Sequence, residues 1–384
     1  MKTTNASEDT MNTPKERMLN AYKGISSDRI PVAPEFWYYY PAKTLGVSMV
    51  EFERCIPFWQ ALQVVFKKFG TDGWGAAFPK PLGKPGETRS DFTRISDTGY
   101  RETVVTAYKG REFVTMQKYD MFEPSWMEKY MASDESELFL CLEMALDPGI
   151  TYDFSECTAG YNAVGGYYLL EMWCGAPFFD FVAQYIGFEK AIMFFVEQDE
   201  GYLESLRARY LEHIISFVRM ACEETGFESF VLGCSFSCNS LIGPNMWRKW
   251  DAPFIKELVR ELHARGKLLH IHFHGKCMET AADFPKLGID CVCPFERGNG
   301  GDVDGLEGLL RVRSLLGEKV TFNGNVHTVD TLIRGGPGDA RREVREIKEA
   351  FNGSRRLIIG TGDQVGYETP EENIYAMVEE AKKQ

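Results

Sequence analysis

KLLHIHFHG, residues 267–275, reads as a β-strand carrying three histidines in alternation, and its reading decides the fold. Successive side chains of a strand point to opposite faces. Leu269, Ile271 and Phe273 therefore share one face, and His270, His272 and His274 share the other. Such a strand packs its apolar face on helices and turns its polar face into a barrel. Gly275 then marks the C-terminal end of the strand, where barrels of this kind carry their catalytic residues. The chain holds six histidines in 384 residues, so clustering three of them here is a choice that needs a chemical reason.

Working outward, the same rhythm extends over the second half. SFVLGCSF (229–236) precedes a helical stretch from Asn245 to Arg265, and a helix over about 278–286 follows the histidine strand. IDCVCPFE (289–296), a helix over 304–316, KVTFNGN (319–325), a helical region ending near Phe351, RRLIIGTG (355–362) and a last helix from Pro370 complete it. Short apolar strands separated by helices of ten to twenty residues argue for parallel strands covered by helices. The first half is less regular. DRIPVAPEFW (28–37) reads as the opening strand, strand-like segments occur at 71–76 and 158–170, and long helical regions span 176–195 and 197–223. Residues 91–118 carry turn signals at Asp97-Thr98-Gly99 and Lys109-Gly110 and read as an antiparallel excursion. The expectation is a single (β/α)8 barrel over 28–384 with a small antiparallel β insertion, preceded by a lead-in and helix over 1–27. A doubly wound open sheet is the runner-up.

The net charge of −13 argues against nucleic acid or anionic membrane as partner. No apolar run is long enough to span a bilayer, and MKTTNASEDTMNTPKERML (1–19) lacks the apolar core of a signal peptide. The N-terminus reads as a short disordered lead-in, and the chain as cytoplasmic. The ten cysteines form no CxxC pair and read as reduced thiols. In Cys291-Val292-Cys293 both sulfurs share one strand face.

His272 and His274 have Cβ atoms roughly 6–7 Å apart on one face, which lets two imidazoles converge on one divalent ion with Zn–N near 2.0–2.1 Å. The plainer alternative is three buried histidines satisfied by their neighbours. His270, deepest, is expected to orient rather than ligate. A further ligand should come from another strand end, and Asp363 (in GTGDQVGYETP) and Glu296 both qualify, with Cys277 a softer option.

With these residues in view the chain resembles the uroporphyrinogen decarboxylase superfamily, which includes the corrinoid-dependent methyltransferases. The resemblance rests on ERMLNAYKGISSDRIPVAPEF (16–36), HFHG (272–275), FNGNVHTVDTLIRGGPGDARREV (322–344) and GTGDQVGYETPEENIYAMVEEAKK (360–383). Two departures narrow what it implies. The decarboxylase itself carries an arginine loop after its first strand, where this chain has PEFWYYYPAK (34–43). The thiol-methylating members bind zinc through one histidine and two cysteines. Here His272 is kept, and His274 and Asp363 fall at the cysteine positions. Nitrogen and oxygen ligands leave a harder, more Lewis-acidic ion than thiolates do, suited to polarising an ether oxygen.

The resemblance thus implies a zinc-dependent methyltransferase that demethylates an oxygen-bearing small-molecule donor, a methoxylated aromatic above all. The methyl passes to the cobalt(I) of a corrinoid. No Asp-x-His-x-x-Gly motif is present, so the corrinoid is expected on a separate partner protein. Glu35 and Asp72 are candidate acids, and Trp37, Tyr38, Asn239, Asn325 and Tyr367 are candidate substrate contacts. Thiol methylation or a metal-free decarboxylation on the same fold remain alternatives, as does an accessory protein that binds corrinoid or metal without turnover.

Overall fold

Eight short parallel strands form one curled sheet: β1 (Val32–Ala33), β2 (Trp74–Ala77), β3 (Leu169–Trp173), β4 (Ser229–Cys234), β5 (Leu268–Phe273), β6 (Cys291–Pro294), β7 (Thr321–Val326) and β8 (Leu357–Thr361). The structure is a computed structural model describing residues 11–298 and 300–383. The expected disordered lead-in falls on residues 1–10, outside the described residues. The hydrogen-bonded order β1-β8-β7-β6-β5-β4-β3-β2 leaves β1 and β2 at the two ends. Asp72 joins them. Its backbone N–H donates to the Val32 carbonyl at 2.8 Å, and the Val32 N–H donates to its Oδ2 at 2.8 Å. The architecture is the (β/α)8 barrel that the strand–helix rhythm predicts.

The alternation of β5 separates two cores. Leu269, Ile271 and Phe273 are buried in the layer between sheet and helices. Inside the barrel, Trp74, Ala76, Val231, Cys291, Cys293 and Ile358 form a separate cluster with Met18, Leu19, Ala21 and Tyr22. Those last four belong to α1 (Pro14–Lys23), which starts with a Thr13/Glu16 capping box and Pro14 and ends at the left-handed Gly24. The helix closes the barrel floor, where Thr321, the first residue of β7, donates its hydroxyl to the Ala21 carbonyl. Met18 and Tyr22 are fully buried there, each contributing about 1.5–3 kcal/mol of apolar burial.

The insertion is a four-stranded antiparallel sheet, Glu87–Arg94, Gly99–Tyr108, Arg111–Asp120 and Trp126–Lys129, somewhat longer than the 91–118 read from its turns. Three sequence expectations fail locally. Residues 158–170 are not a strand: a helix spans Ser155–Val164, started by the Asp153 carboxylate on the Ser155 N–H, and β3 begins only after Gly165-Gly166. The helix expected over 278–286 shrinks to Phe284–Leu287, because the Asp302 carboxylate captures the N–H groups of Cys277 and Met278 and holds them in a turn. The region 176–195 is two helices, Phe178–Ile186 and Phe188–Glu197, broken at Gly187 with φ 87°. Among the described residues, no helix is long and apolar enough to cross a membrane.

Candidate metal centre

The β5 register sets the depth of each histidine. His270 pairs with Val231 and Cys291, and His272 pairs with Gly233 and Cys293. His274 follows the strand end, at the mouth. The Nε2 atoms of His272 and His274 lie 2.6 Å apart, so the two rings aim at one point. Glu35 arrives from the end of β1, held by its N–H on the Thr361 hydroxyl, with Oε1 3.7 Å from His272 Nε2. Asp363 arrives from the end of β8, its Oδ1 accepting the Gln364 N–H. Two sets of ligand-type atoms, Glu35/His272/Cys293 and His274/Glu296/Asp363, each fall within 4.8 Å.

The remaining ring nitrogens divide these residues further. His274 Nδ1 lies 3.0 Å from Glu296 Oε1, which also accepts the Gly275 N–H at 2.8 Å. Glu296 therefore orients His274 with one oxygen, in the manner of carboxylate–histidine pairs behind a metal. His272 Nδ1 lies 3.2 Å from Cys293 Sγ, leaving its Nε2 for the ion. Glu35 beside His272 and Asp363 beside His274 offer nitrogen and oxygen donors of the kind that suits a divalent ion such as zinc. The glycines after β6 close tightly on Glu296, where a Cβ on Gly301 would sit 1.8 Å from its carbonyl oxygen. Gly301→Ala is thus expected to displace Glu296 and weaken zinc binding about tenfold to a hundredfold, read by chelator competition, with circular dichroism unchanged.

Burial and close approach shift the titration of these groups. Burial pushes the His272 pKa well below its ordinary value, and the neighbouring His274 and His270 add to this. Burial opposes charge on His274 too, but the Glu296 hydrogen bond and the charges of Asp363 and Glu35 outweigh it and lift its pKa to about 9. Burial, then Asp363, holds Glu35 well above the usual carboxylate range, and burial likewise raises Asp363. The imidazolium of His274 thus stands among three acidic side chains.

Other expected site residues divide sharply. Trp37 lies over His272, ring centroids 6.3 Å apart at 11°, and Tyr38 meets Trp37 edge-on. Their neighbours Phe36 and Tyr40 are core residues. Asn239, in the loop after β4, has both amide atoms buried without a partner. The adjacent Ser240 hydroxyl accepts the Lys276 N–H, which sets this loop beside the His274–Gly275 turn. Asn325 is at the mouth end of β7 but is spent on structure, donating to the Phe295 and Val303 carbonyls and accepting from Arg297. Tyr367 is half-exposed under Lys43, and Cys277 is tied to Asp302. Asp72 is a correction. It precedes β2, on the floor side, fully buried between Arg17 and Arg29, so it reaches no substrate at the mouth.

Cys293, Trp74 and Glu171 also neighbour the histidines, which local sequence spacing does not indicate. The strand parity of Cys291-Val292-Cys293 was the available signal, but which strand lies beside β5 is tertiary information. Next to Glu296 and Asp363, a cavity of about 360 Å³ opens toward Arg297, His327 and Arg334. A larger one of about 540 Å³ lies on the opposite face, against α1, and holds none of the candidate ligands.

The family described as uroporphyrinogen decarboxylase (URO-D) matches residues 157–384. No curated protein matches by sequence. Among solved structures, a methyltransferase from Methanosarcina mazei aligns with a TM-score of 0.63 at 15% identity, over 96% of this chain and 98% of its own. A class V chitininase from Pseudomonas fluorescens Pf-5 aligns with a TM-score of only 0.35 at 13% identity, over 59% of this chain and 84% of its own.

Proposed function

The chain belongs to the uroporphyrinogen decarboxylase family, and from that premise we propose that it is a zinc-dependent methyltransferase acting on an oxygen-bearing methyl donor. The acceptor is the cobalt(I) of a corrinoid carried by a separate protein. The observation that supports this reading best is the meeting of the His272 and His274 Nε2 atoms, 2.6 Å apart, beside Glu35 and Asp363. His272, His274, Glu35 and Asp363 would hold a divalent ion, which would supply Lewis acidity at the donor oxygen and ease departure of a phenolate or alkoxide. The methyl C–O bond breaks with its electron pair left on oxygen, and cobalt(I) gives two electrons to the carbon as it becomes methylcobalt(III).

The side chains around the site serve binding and orientation. Trp37, half-buried at the mouth, offers a ring face to an aromatic donor at roughly 4.5–7 Å, with Tyr38 at its edge. The unpartnered amide of Asn239 offers one donor and one acceptor to ring substituents, since a buried polar group without a partner costs about 1–3 kcal/mol. Glu296 keeps His274 turned toward the ion. The reading agrees with the name of the Methanosarcina mazei neighbour, whose likeness to this chain is one of fold.

The test is a panel of methylated donors given to the zinc-loaded chain with free reduced cobalamin, following the absorbance change from cobalt(I) to methylcobalt(III). Phenyl methyl ethers should react. Silence across them, with thiols methylated instead, overturns the assignment. A second check needs no donor. Zinc must displace the proton of His274, whose pKa is about 9, and that of Glu35, held well above its ordinary value by burial, so the apparent zinc affinity should rise at least about tenfold per pH unit up to about pH 9. The slope comes from pH-stepped chelator competition; a flat profile argues against His274 as a ligand.

A further inference from the structure

Beneath the proposed ion site, and resting on that reading, a single file of buried polar groups runs down the barrel axis. Glu171 on β3 is fully buried. Its Oε1 accepts the Ser229 hydroxyl at 2.7 Å, and its Oε2 lies 3.4 Å from the Tyr22 hydroxyl of the floor helix. The same Oε2 is 2.9 Å from His270 Nδ1. His270 Nε2 is 3.1 Å from Cys293 Sγ, and Cys293 Sγ is 3.2 Å from His272 Nδ1. The file ends at His272 Nε2, which faces the ion.

The Tyr22 hydroxyl also lies 3.1 Å from His270 Nδ1; with its hydrogen on Glu171 Oε2, it leaves the Nδ1 proton to the shorter carboxylate contact, and the polarity of the file follows from the bottom. A carboxylate only accepts, which places a proton on His270 Nδ1 and leaves its Nε2 as a lone pair. The Cys293 thiol, 3.1 Å away, then donates S–H to that lone pair. Its sulfur accepts the N–H of His272 Nδ1. What remains on His272 is an Nε2 lone pair, the form a metal requires. We propose that Glu171, His270 and Cys293 are positioning residues which fix the tautomer of His272 through this four-membered relay, with Cys293 outside the coordination sphere.

Glu171→Gln tests the polarity with little change of shape. A Gln amide can donate to His270 Nδ1, which frees the file to run in reverse and puts a proton on His272 Nε2. In the metal-free chain, ¹⁵N NMR of the histidine rings should show His272 protonated at Nδ1 in the native protein. The Glu171→Gln and Cys293→Ala variants should show a mixture of tautomers. Zinc affinity, by chelator competition, should fall about tenfold to a hundredfold in each, and the double variant should lose no more than either alone. Cys293→Ser, which keeps a donor and an acceptor, should restore both readouts. A native Nδ1-protonated signal that survives Glu171→Gln overturns the relay. X-ray absorption of the zinc-loaded chain supplies the second arm. Nitrogen and oxygen scatterers alone are expected, whereas a sulfur at about 2.3 Å would make Cys293 a ligand and overturn the proposal while leaving the metal site standing. Failure to bind zinc at all would remove the functional reading, yet the NMR arm would still decide the relay.

Discussion

His272→Ala should reduce zinc from about one ion per chain to a trace, and methyl transfer to cobalt(I) by at least about a hundredfold, since loss of a ligand exceeds the ten- to hundredfold cost of a lost orienting partner. The size follows from position. His272 is buried beneath Trp37, and its Nε2 is the atom nearest to both His274 and Glu35. Its removal leaves the imidazolium of His274 facing Glu35 and Asp363 with no second nitrogen to share an ion. The control is His263→Ala. That ring is paired with Asp290 on the outer surface, and its loss should leave zinc and activity unchanged. Metal analysis of the two purified variants separates the outcomes. Full zinc content in His272→Ala would mean that the barrel mouth holds no metal through this strand.

Asp72→Asn should destabilise the fold by about 3–5 kcal/mol, the cost of breaking a buried charge pair from one side, while leaving the turnover of folded protein intact. The carboxylate is fully buried, bonded to Arg29 at 2.6 and 3.0 Å and to Arg17 at 3.0 Å, and it accepts the Val32 N–H where β1 and β2 have no ladder of their own. An amide can keep some of these bonds, and Arg17 retains its two bonds to Asp28, but Arg29 is left without its counter-charge. The denaturant midpoint gives the stability change, and initial rates at saturating donor give the activity. A variant with native stability and no turnover would return Asp72 to the chemistry.

These two residues also show what can be read without coordinates. His272 lies in an alternating strand ended by glycine, where local spacing alone states which face it shares and that it sits near the strand's C-terminal end. Asp72 lies in a glycine-rich stretch before a strand, and local spacing does not say whether that end of the strand faces the catalytic mouth or the floor. Glu296 follows a strand, which local spacing expects at the mouth as a ligand; only the tertiary structure brings it 3.0 Å from His274 Nδ1 and into one group of ligand-type atoms with His274 and Asp363. Glu35 moved the other way, from a proposed acid to a ligand-distance partner of His272, because β1 and β5 face each other across a barrel that no local pattern describes. Of the aromatic run 36–40, sequence alone treats every ring alike, whereas the turn from β1 into the following helix sends Phe36 and Tyr40 into the core and Trp37 over the histidine.

The amino-acid order by itself determined the strand–helix rhythm, the antiparallel insertion, the inward face of the histidine strand and the mouth position of Asp363, because period-two alternation and chain punctuation are local properties. Only the tertiary structure decided which carboxylates meet the imidazoles, that Cys293 lies beneath them, and that Asp72 fastens the barrel at its base. Those facts depend on side chains hundreds of positions apart being brought within hydrogen-bond reach, and on which lone pair each ring has left once its other nitrogen is engaged.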